Sequence, residues 1–480
     1  MVKRVLAIIM ILVSAKCMAA THYVVPTNSA AADPYTNWIT AGTNIIDVVN
    51  AAVTNTAPRV VLVTNGTYWM TNTISVSSGK TLTLQSVNGR DVTIINGNKE
   101  FYTNNCMSIA ADSSIIDGFT ITNYIATNVN GIVDLVGIIN IKNCLITGNK
   151  STCPSWPYGH GGGMRVNGTG STVSNCIIRG NYAFNQGGGI YISKSSVSIV
   201  DCEISFNIAD SASGLGGGIM ADAGGSSVIS NLVVKNCRIF NNVAPCGGGI
   251  WMNIGTNKVI DSCIITGNTA KAVGVYGGLG GGIFTFGGVM ISNCVVSANI
   301  ATNSGGGIWG AGTGTAPTNQ VILRNCLIAM NRAVTNIGGG AYLSNGILES
   351  CTVVTNYAGV SGGGLYIKTP GAGTNNIIYF NTAPSAANFT NTVGNTGLNF
   401  SCVFPAVDGT GNIASDPRLV DLAGGNYRLR MGSPCVNTGT NQDWMTNAVD
   451  LDGNARILNI IVDMGAYETI LWQGTIYSFP

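Results

Sequence analysis

The sequence predicts an all-β solenoid: a single-stranded right-handed parallel β-helix with three short strands per coil, an N-terminal capping helix and a C-terminal cap. Three observations predict it. A cysteine–aliphatic–asparagine unit recurs every 25 to 35 residues, as in "NCLITGN" (143–149), "NCIIRGN" (175–181), "DCEISFN" (201–207) and "NCVVSAN" (293–299). A triple glycine followed by an apolar run recurs between copies, as in "GGGIYI", "GGGIWM" and "GGGLYI". No helical periodicity separates them, so each period must be built from extended segments stacked coil on coil, about 4.8 Å apart.

The elements follow in order. Lys3 and Arg4, the apolar run Val5 to Val13 and small residues near Ala19 have the layout of a secretory leader over 1–20. In "TNWITAGTNIIDVVNAAV", Ile45, Ile46, Val49, Ala52 and Val53 recur at helical spacing and predict the amphipathic helix that caps the first coils, within 21–105. The repeats occupy 106–414. Within each, one strand follows the glycines, one ends just before the cysteine and one begins at it.

The residue two after each cysteine is aliphatic (Ile146, Ile178, Ile204, Ile239, Ile265, Val296, Ile328, Val353), whereas the residue between accepts Glu203, Arg238 or Thr352. Period-two alternation therefore turns the thiol and the aliphatic inward and the residue between them to solvent. The glycines serve a corner where a left-handed backbone or a close approach excludes a Cβ. The closing asparagines, Asn149 through Asn381, are expected to adopt a left-handed turn and to bond their counterparts in the next coil. Stacked thiols point in parallel, so the cysteines should stay reduced despite a secretory leader. After about Ser415 the repeat stops and charge rises; 415–468 is expected to form the C-terminal cap, and 469–480 a tail.

Three resemblances rest on these residues. The unit "ISFNIADSASGLGGGI", with "VSANIATNSGGGI", resembles the repeat of polymorphic outer membrane proteins and related β-helix adhesins over roughly 140–380. The N-terminal segment is similar to the start of pectin-lyase-like secreted proteins. "DPRLVD…NYRLRMGSPCVNTG…DLDGNARI…VDMGAYE" resembles the choice-of-anchor Q region of bacterial secreted β-helix proteins. Together they imply export to the bacterial surface or medium, and either adhesion or action on polysaccharides.

The second residue after each triple glycine is Arg165, Tyr191, Met220, Trp251, Phe284, Trp309, Tyr342 or Tyr366. Alternation points these side chains outward, and Tyr191, Trp251, Phe284, Trp309, Tyr342 and Tyr366 would form an external aromatic stripe suited to stacking on sugars. The alternative is that the rings stack on one another and stiffen the sheet. For catalysis the candidates are few. "GHGGGMR" (159–165) carries a Gly-His-Gly like that of polygalacturonases, which brings in His160 and Arg165. Glu203 and Arg238 occupy equivalent slots in neighbouring coils, where a surface ion pair is the simpler expectation. Asp450 and Asp452 of "DLDGN" have half the look of a calcium loop, which turn chemistry also explains.

Only 9% of residues are charged, the formal charge is +2, and no basic patch is interleaved with aromatics, which argues against nucleic acid as partner. Beyond the leader no apolar run reaches membrane-spanning length. The expectation is a secreted monomer without a required cofactor, binding a polysaccharide or cell-surface glycan without cleaving it. A pectin-lyase-type lyase or hydrolase and a purely structural surface protein are the alternatives.

Overall fold

The computed structural model describes residues 20–470 apart from 156–157, 194–195, 223–228, 274–275, 315, 369–370 and 393–396. Residues 1–19 of the leader therefore lie outside the described residues, as does all but the start of the 469–480 tail. The chain winds into a parallel β-helix with four long sheets. A 14-stranded sheet precedes the cysteines, a 13-stranded sheet follows them, a narrow 10-stranded sheet follows the asparagines and a 12-stranded sheet follows the glycines. Every neighbouring pair within these sheets is parallel and in register, for example Glu203↔Arg238 and Tyr191↔Met220.

The narrow sheet corrects the expected three strands per coil to four. Its strands are two residues long, such as Tyr182–Ala183 and Ile208–Ala209, too short to show a pattern of their own. Their buried anchor is the alanine two after each asparagine (Ala183, Ala209, Ala244, Ala270, Ala301, Ala333, Ala358).

One apolar core runs the length of the solenoid. Cys144, Cys176, Cys202, Cys237, Cys263, Cys294, Cys326 and Cys351 stack in it, and every described cysteine is a free thiol. The thiols do not orphan their hydrogens: Cys294 Sγ, for instance, donates to Ser292 O at 3.0 Å.

The asparagine ladder is fully bonded. From Asn149 to Asn356, each backbone N–H and each Nδ2 donates to the Oδ1 of the next coil's asparagine, at 2.9–3.1 Å. Nδ2 also reaches a main-chain carbonyl, as from Asn268 to Ile239 O at 2.9 Å. The left-handed residue is the one before the ladder asparagine (Gly180, φ 63; Phe206, φ 56; Asn241, φ 55), not the asparagine itself. A second left-handed residue stands before each cysteine, such as Asn175 and Asn293. With its neighbour supplying the turn, the ladder amide is free to point inward and bond along the axis.

The helix Ile45–Thr54 covers the first coils through Ile45, Val48, Val49 and Ala52, with Asn44 Oδ1 accepting from Ile46 N at 2.8 Å. The C-terminal segment does more than follow the last coil. It forms an antiparallel hairpin, Leu419–Asp421 with Asn426–Leu429, and lies along the outward face of the post-cysteine sheet. There Leu419, Tyr427, Leu429, Met464 and Tyr467 pack on Leu327, Val354 and Ile377. Gly465 N donates to Asn375 O at 2.7 Å and Ala466 N to Thr352 Oγ1 at 2.9 Å.

Within this segment Arg456 and Glu468 form a buried pair at 3.1 Å. Burial pushes the Glu468 carboxyl up to about 8, Arg456 opposes that rise and the nearby Asp463 adds to it. A carboxyl that holds its proton more tightly when folded stabilises fully below its unfolded value, and the contribution is lost as pH rises through the folded value. The urea midpoint read by far-ultraviolet dichroism is therefore expected to fall between about pH 5 and about pH 9. Glu468→Gln should flatten that dependence; an unchanged slope would contradict the assignment.

Candidate functional site

Two outward faces concentrate side chains of chemical interest. The first is the outward row of the post-glycine sheet, which runs in register through Asp134, Arg165, Tyr191, Met220, Trp251, Phe284, Trp309, Tyr342 and Tyr366. The rings point away from the core as alternation requires, yet they do not face water. Tyr191 and Trp251 are 7% exposed, Phe284 4% and Tyr342 8%; Trp309 and Tyr366 are half-buried.

The reason is that the rings cover each other. Trp251–Phe284, Phe284–Trp309, Trp309–Tyr342 and Tyr342–Tyr366 stack with centroids 5.9, 4.4, 5.4 and 5.7 Å apart and planes within 16°. Leu215, Cys246 and Leu279, each just before a triple glycine, and Phe286 close over their sides. Faces spent on neighbouring rings cannot stack on sugars, so the predicted open aromatic stripe is replaced by a second apolar row outside the sheet. Trp251→Ala should accordingly lower stability by about 3 kcal/mol, read as a fall in thermal midpoint, instead of acting on ligand retention alone.

The catalytic candidates fall on two faces. His160, outside any strand, is buried at the head of the ring row and stacks on Tyr191 with ring centroids 4.7 Å apart. Tyr191 is pushed up to about 12 by burial, with Asp222 adding to it. Arg165 lies beside Tyr191, and both its Nε and Nη2 bond Asp134 at 2.7 and 2.8 Å. Burial raises the Asp134 carboxyl, opposed by this same guanidinium. An arginine held on two N–H groups by one carboxylate is poorly placed to accept a proton from substrate. Glu203 and Arg238 lie apart from this group, on the post-cysteine sheet, as a pair 3.9 Å apart with Arg238 largely exposed. That is the surface ion pair expected for their slots.

Asp450 accepts from the backbone N–H groups of Asp452, Asn454 and Glu468 at 2.8–2.9 Å, and Asp452 pairs with Arg428. Both carboxylates thus serve the turn and its neighbour. Among the described residues no group of three His, Cys, Asp or Glu side chains is placed to hold a metal.

The second face was not singled out by motif. On the pre-cysteine sheet, the residue four before each cysteine points outward, giving an in-register row of Asn140, Thr172, Ser198, Val233, Val259, Met290, Ile322 and Ile347. The row is polar and hydrogen-bonding over its first coils and aliphatic over its later ones. Beside it runs a row of paired charges: Lys142–Asp117 at 3.4 Å, Lys235–Asp261 at 3.3 Å and Arg324–Glu349 at 2.7 Å.

In the aliphatic part opens a cavity of about 300 Å³, lined by Val259, Met290, Ile322, Gly288, Thr318 and Lys258. A Cβ on Gly288 would lie 1.7 Å from Thr318 O, so glycine is what lets the Pro317–Asn319 turn close one wall. Lys258 is buried at the floor, its Nζ donating to Asn253 O at 2.6 Å and Phe286 O at 2.5 Å; burial pushes the ammonium down to about 7. The signal in the sequence was positional: a slot at fixed distance from the cysteine, filled by Asn, Thr, Ser, Val, Met and Ile in turn, shows its meaning only once the strands are stacked.

A family model described as "Right handed beta helix region" matches residues 132–318. No curated protein sequence matches the chain. Among solved structures, the pectate lyase Pel9A is similar at 16% identity and a TM-score of 0.45, over 93% of this chain and 96% of that one. A GH87 α-1,3-glucanase catalytic unit from Streptomyces thermodiastaticus matches at 14% identity and a TM-score of 0.42, over 77% and 65%. XylC in complex with xylose matches at 8% identity and a TM-score of 0.41, over 83% and 87%. The fold is a right-handed parallel β-helix, and among the described residues no helix is long and apolar enough to cross a membrane.

Proposed function

We propose that the protein is an exported β-helix that binds a glycan along its pre-cysteine flank without cleaving it. The observation that supports this reading is the outward row from Asn140 to Ile347 with the cavity at Val259, Met290 and Ile322. A sugar chain presents hydroxyl rims and C–H faces together, and this row offers amide and hydroxyl groups beside a concave aliphatic surface. The charges alongside are paired with one another, which suits a ligand of low charge. The doubly engaged Arg165 supports binding over lyase chemistry at the charged pair in the ring row.

The test is affinity electrophoresis of the purified protein through gels containing soluble neutral and uronic-acid polysaccharides, with release of reducing and unsaturated ends followed in parallel. At least one glycan is expected to retard the protein with no ends released. Met290→Asp with Ile322→Asp, both outward-facing, should weaken retardation about tenfold or more while far-ultraviolet dichroism is unchanged. Retardation that ignores these substitutions would remove the flank from the reading. Turnover of any polysaccharide would replace binding with catalysis.

A further inference from the structure

Two cysteines stand outside the thiol ladder in a way that gives them a different chemistry. In the ladder, successive coils place cysteine in the same inward slot, and their Cβ atoms run parallel. After Cys351 that slot passes to Asn376 and then Ser401, with Asn376 N donating to Ser401 Oγ at 3.1 Å. Cys402 is therefore one residue past the slot. It pairs in register with the outward Ile377 and points away from the core, into the C-terminal segment.

Cys435 meets it there. Both side chains are wholly buried in the apolar cluster that joins this segment to the solenoid, with Leu419, Tyr427, Leu429, Met464 and Tyr467 around them. Cys402 Sγ donates to Ser415 O at 3.2 Å, and Cys435 is buried in the same cluster. Two thiols brought into one cluster by separate segments are not held parallel as stacked thiols are.

We propose that Cys402 and Cys435 are a disulfide site that fastens the C-terminal segment to the last coil. The step needs an external oxidant, a small-molecule disulfide. One cysteine thiolate attacks it, its S–S bond breaks and one small thiol leaves; the second cysteine thiolate then attacks the mixed disulfide and displaces the other. Two electrons and two protons pass to the oxidant, which becomes two thiols, and one protein S–S bond forms. The Cys435 thiol holds the Cys402 thiol above its ordinary value, and burial adds to it. Exchange therefore belongs to molecules in which the segment has not yet docked. The site does not depend on the glycan reading.

The experiment uses the wild-type chain. It is refolded in oxidised and reduced glutathione, free thiols are alkylated under denaturing conditions without reduction, and the digest is analysed by mass spectrometry. A single cross-linked peptide joining Cys402 to Cys435 is expected, with Cys144 through Cys351 alkylated. Cleavage of the segment containing Arg428 and Arg430 by trypsin under native conditions should then be slowed about tenfold or more relative to the reduced protein. Alkylation of both Cys402 and Cys435, or a cross-link from either to a ladder cysteine, would overturn the proposal. So would a cross-link that leaves tryptic cleavage of the segment unchanged.

Discussion

Asn268→Leu is expected to cost about 4 kcal/mol or more of stability, among the largest effects any single side chain in this protein can have. The leucine matches the amide roughly in size but ends two donations, to Ile239 O and Asn299 Oδ1. It also strands the two N–H groups of Asn242 that had Asn268 Oδ1 as acceptor, one of them main-chain. Each buried donor left alone costs about 1–3 kcal/mol, and none of these atoms can turn to water in the interior. A native domain holds about 5–15 kcal/mol in total, so the loss should appear as a large fall in urea midpoint. Stacked coils open locally, and hydrogen exchange should show the amides of coils 237–299 exchanging well before the ends. A midpoint within about 1 kcal/mol of wild type would mean that the ladder only decorates the core.

Gly248→Ala should be at least as damaging, for a different reason. A Cβ there would lie 2.5 Å from Gly281 O and 2.6 Å from the carbonyl carbon and oxygen of Thr269. All three atoms are main-chain atoms of the following coil, held by parallel pairing on both sides, so no side chain can swing away. Relief requires prising two coils apart at the corner, and a loss above about 4 kcal/mol or failure to fold is expected. Gly180→Ala is the contrasting substitution, with backbone strain and no contact. Its backbone is left-handed, φ 63, which that of Gly248 is not, but an added Cβ meets nothing within 4 Å, so about 1–2 kcal/mol should be lost. A loss at Gly248 no larger than that at Gly180, by urea denaturation, would show that the corner contact is relieved at little cost.

The fold was legible because every coil repeats the same three instructions: thiol and aliphatic inward, asparagine at the close, glycine at the corner. Alternation also assigned the ring row correctly to the outside of its sheet. It could not tell outside from exposed. Whether Trp251 meets water depends on Phe284 and Met220 one coil away and on Cys246 at the corner, and those contacts exist only after stacking. The narrow sheet escaped notice because two residues carry no period. The flank at Met290 escaped because its slot varies in residue type while keeping only its distance from the cysteine. His160 illustrates the converse: it lies between glycines outside any strand, yet the stack on Tyr191 keeps its imidazole buried.

The ladder also sets how the molecule can change in length. Asn181, Asn207, Asn242 and Asn268 present identical atoms to the coil above and the coil below, so any of these rungs is a fitting neighbour for any other. Removing or duplicating one whole period, from a cysteine to the next, would rejoin like to like and change the rod by about 4.8 Å. A gene for such a chain can therefore grow or shrink by unequal recombination without breaking the asparagine ladder, and only cuts that fall within a period would leave its ends mismatched.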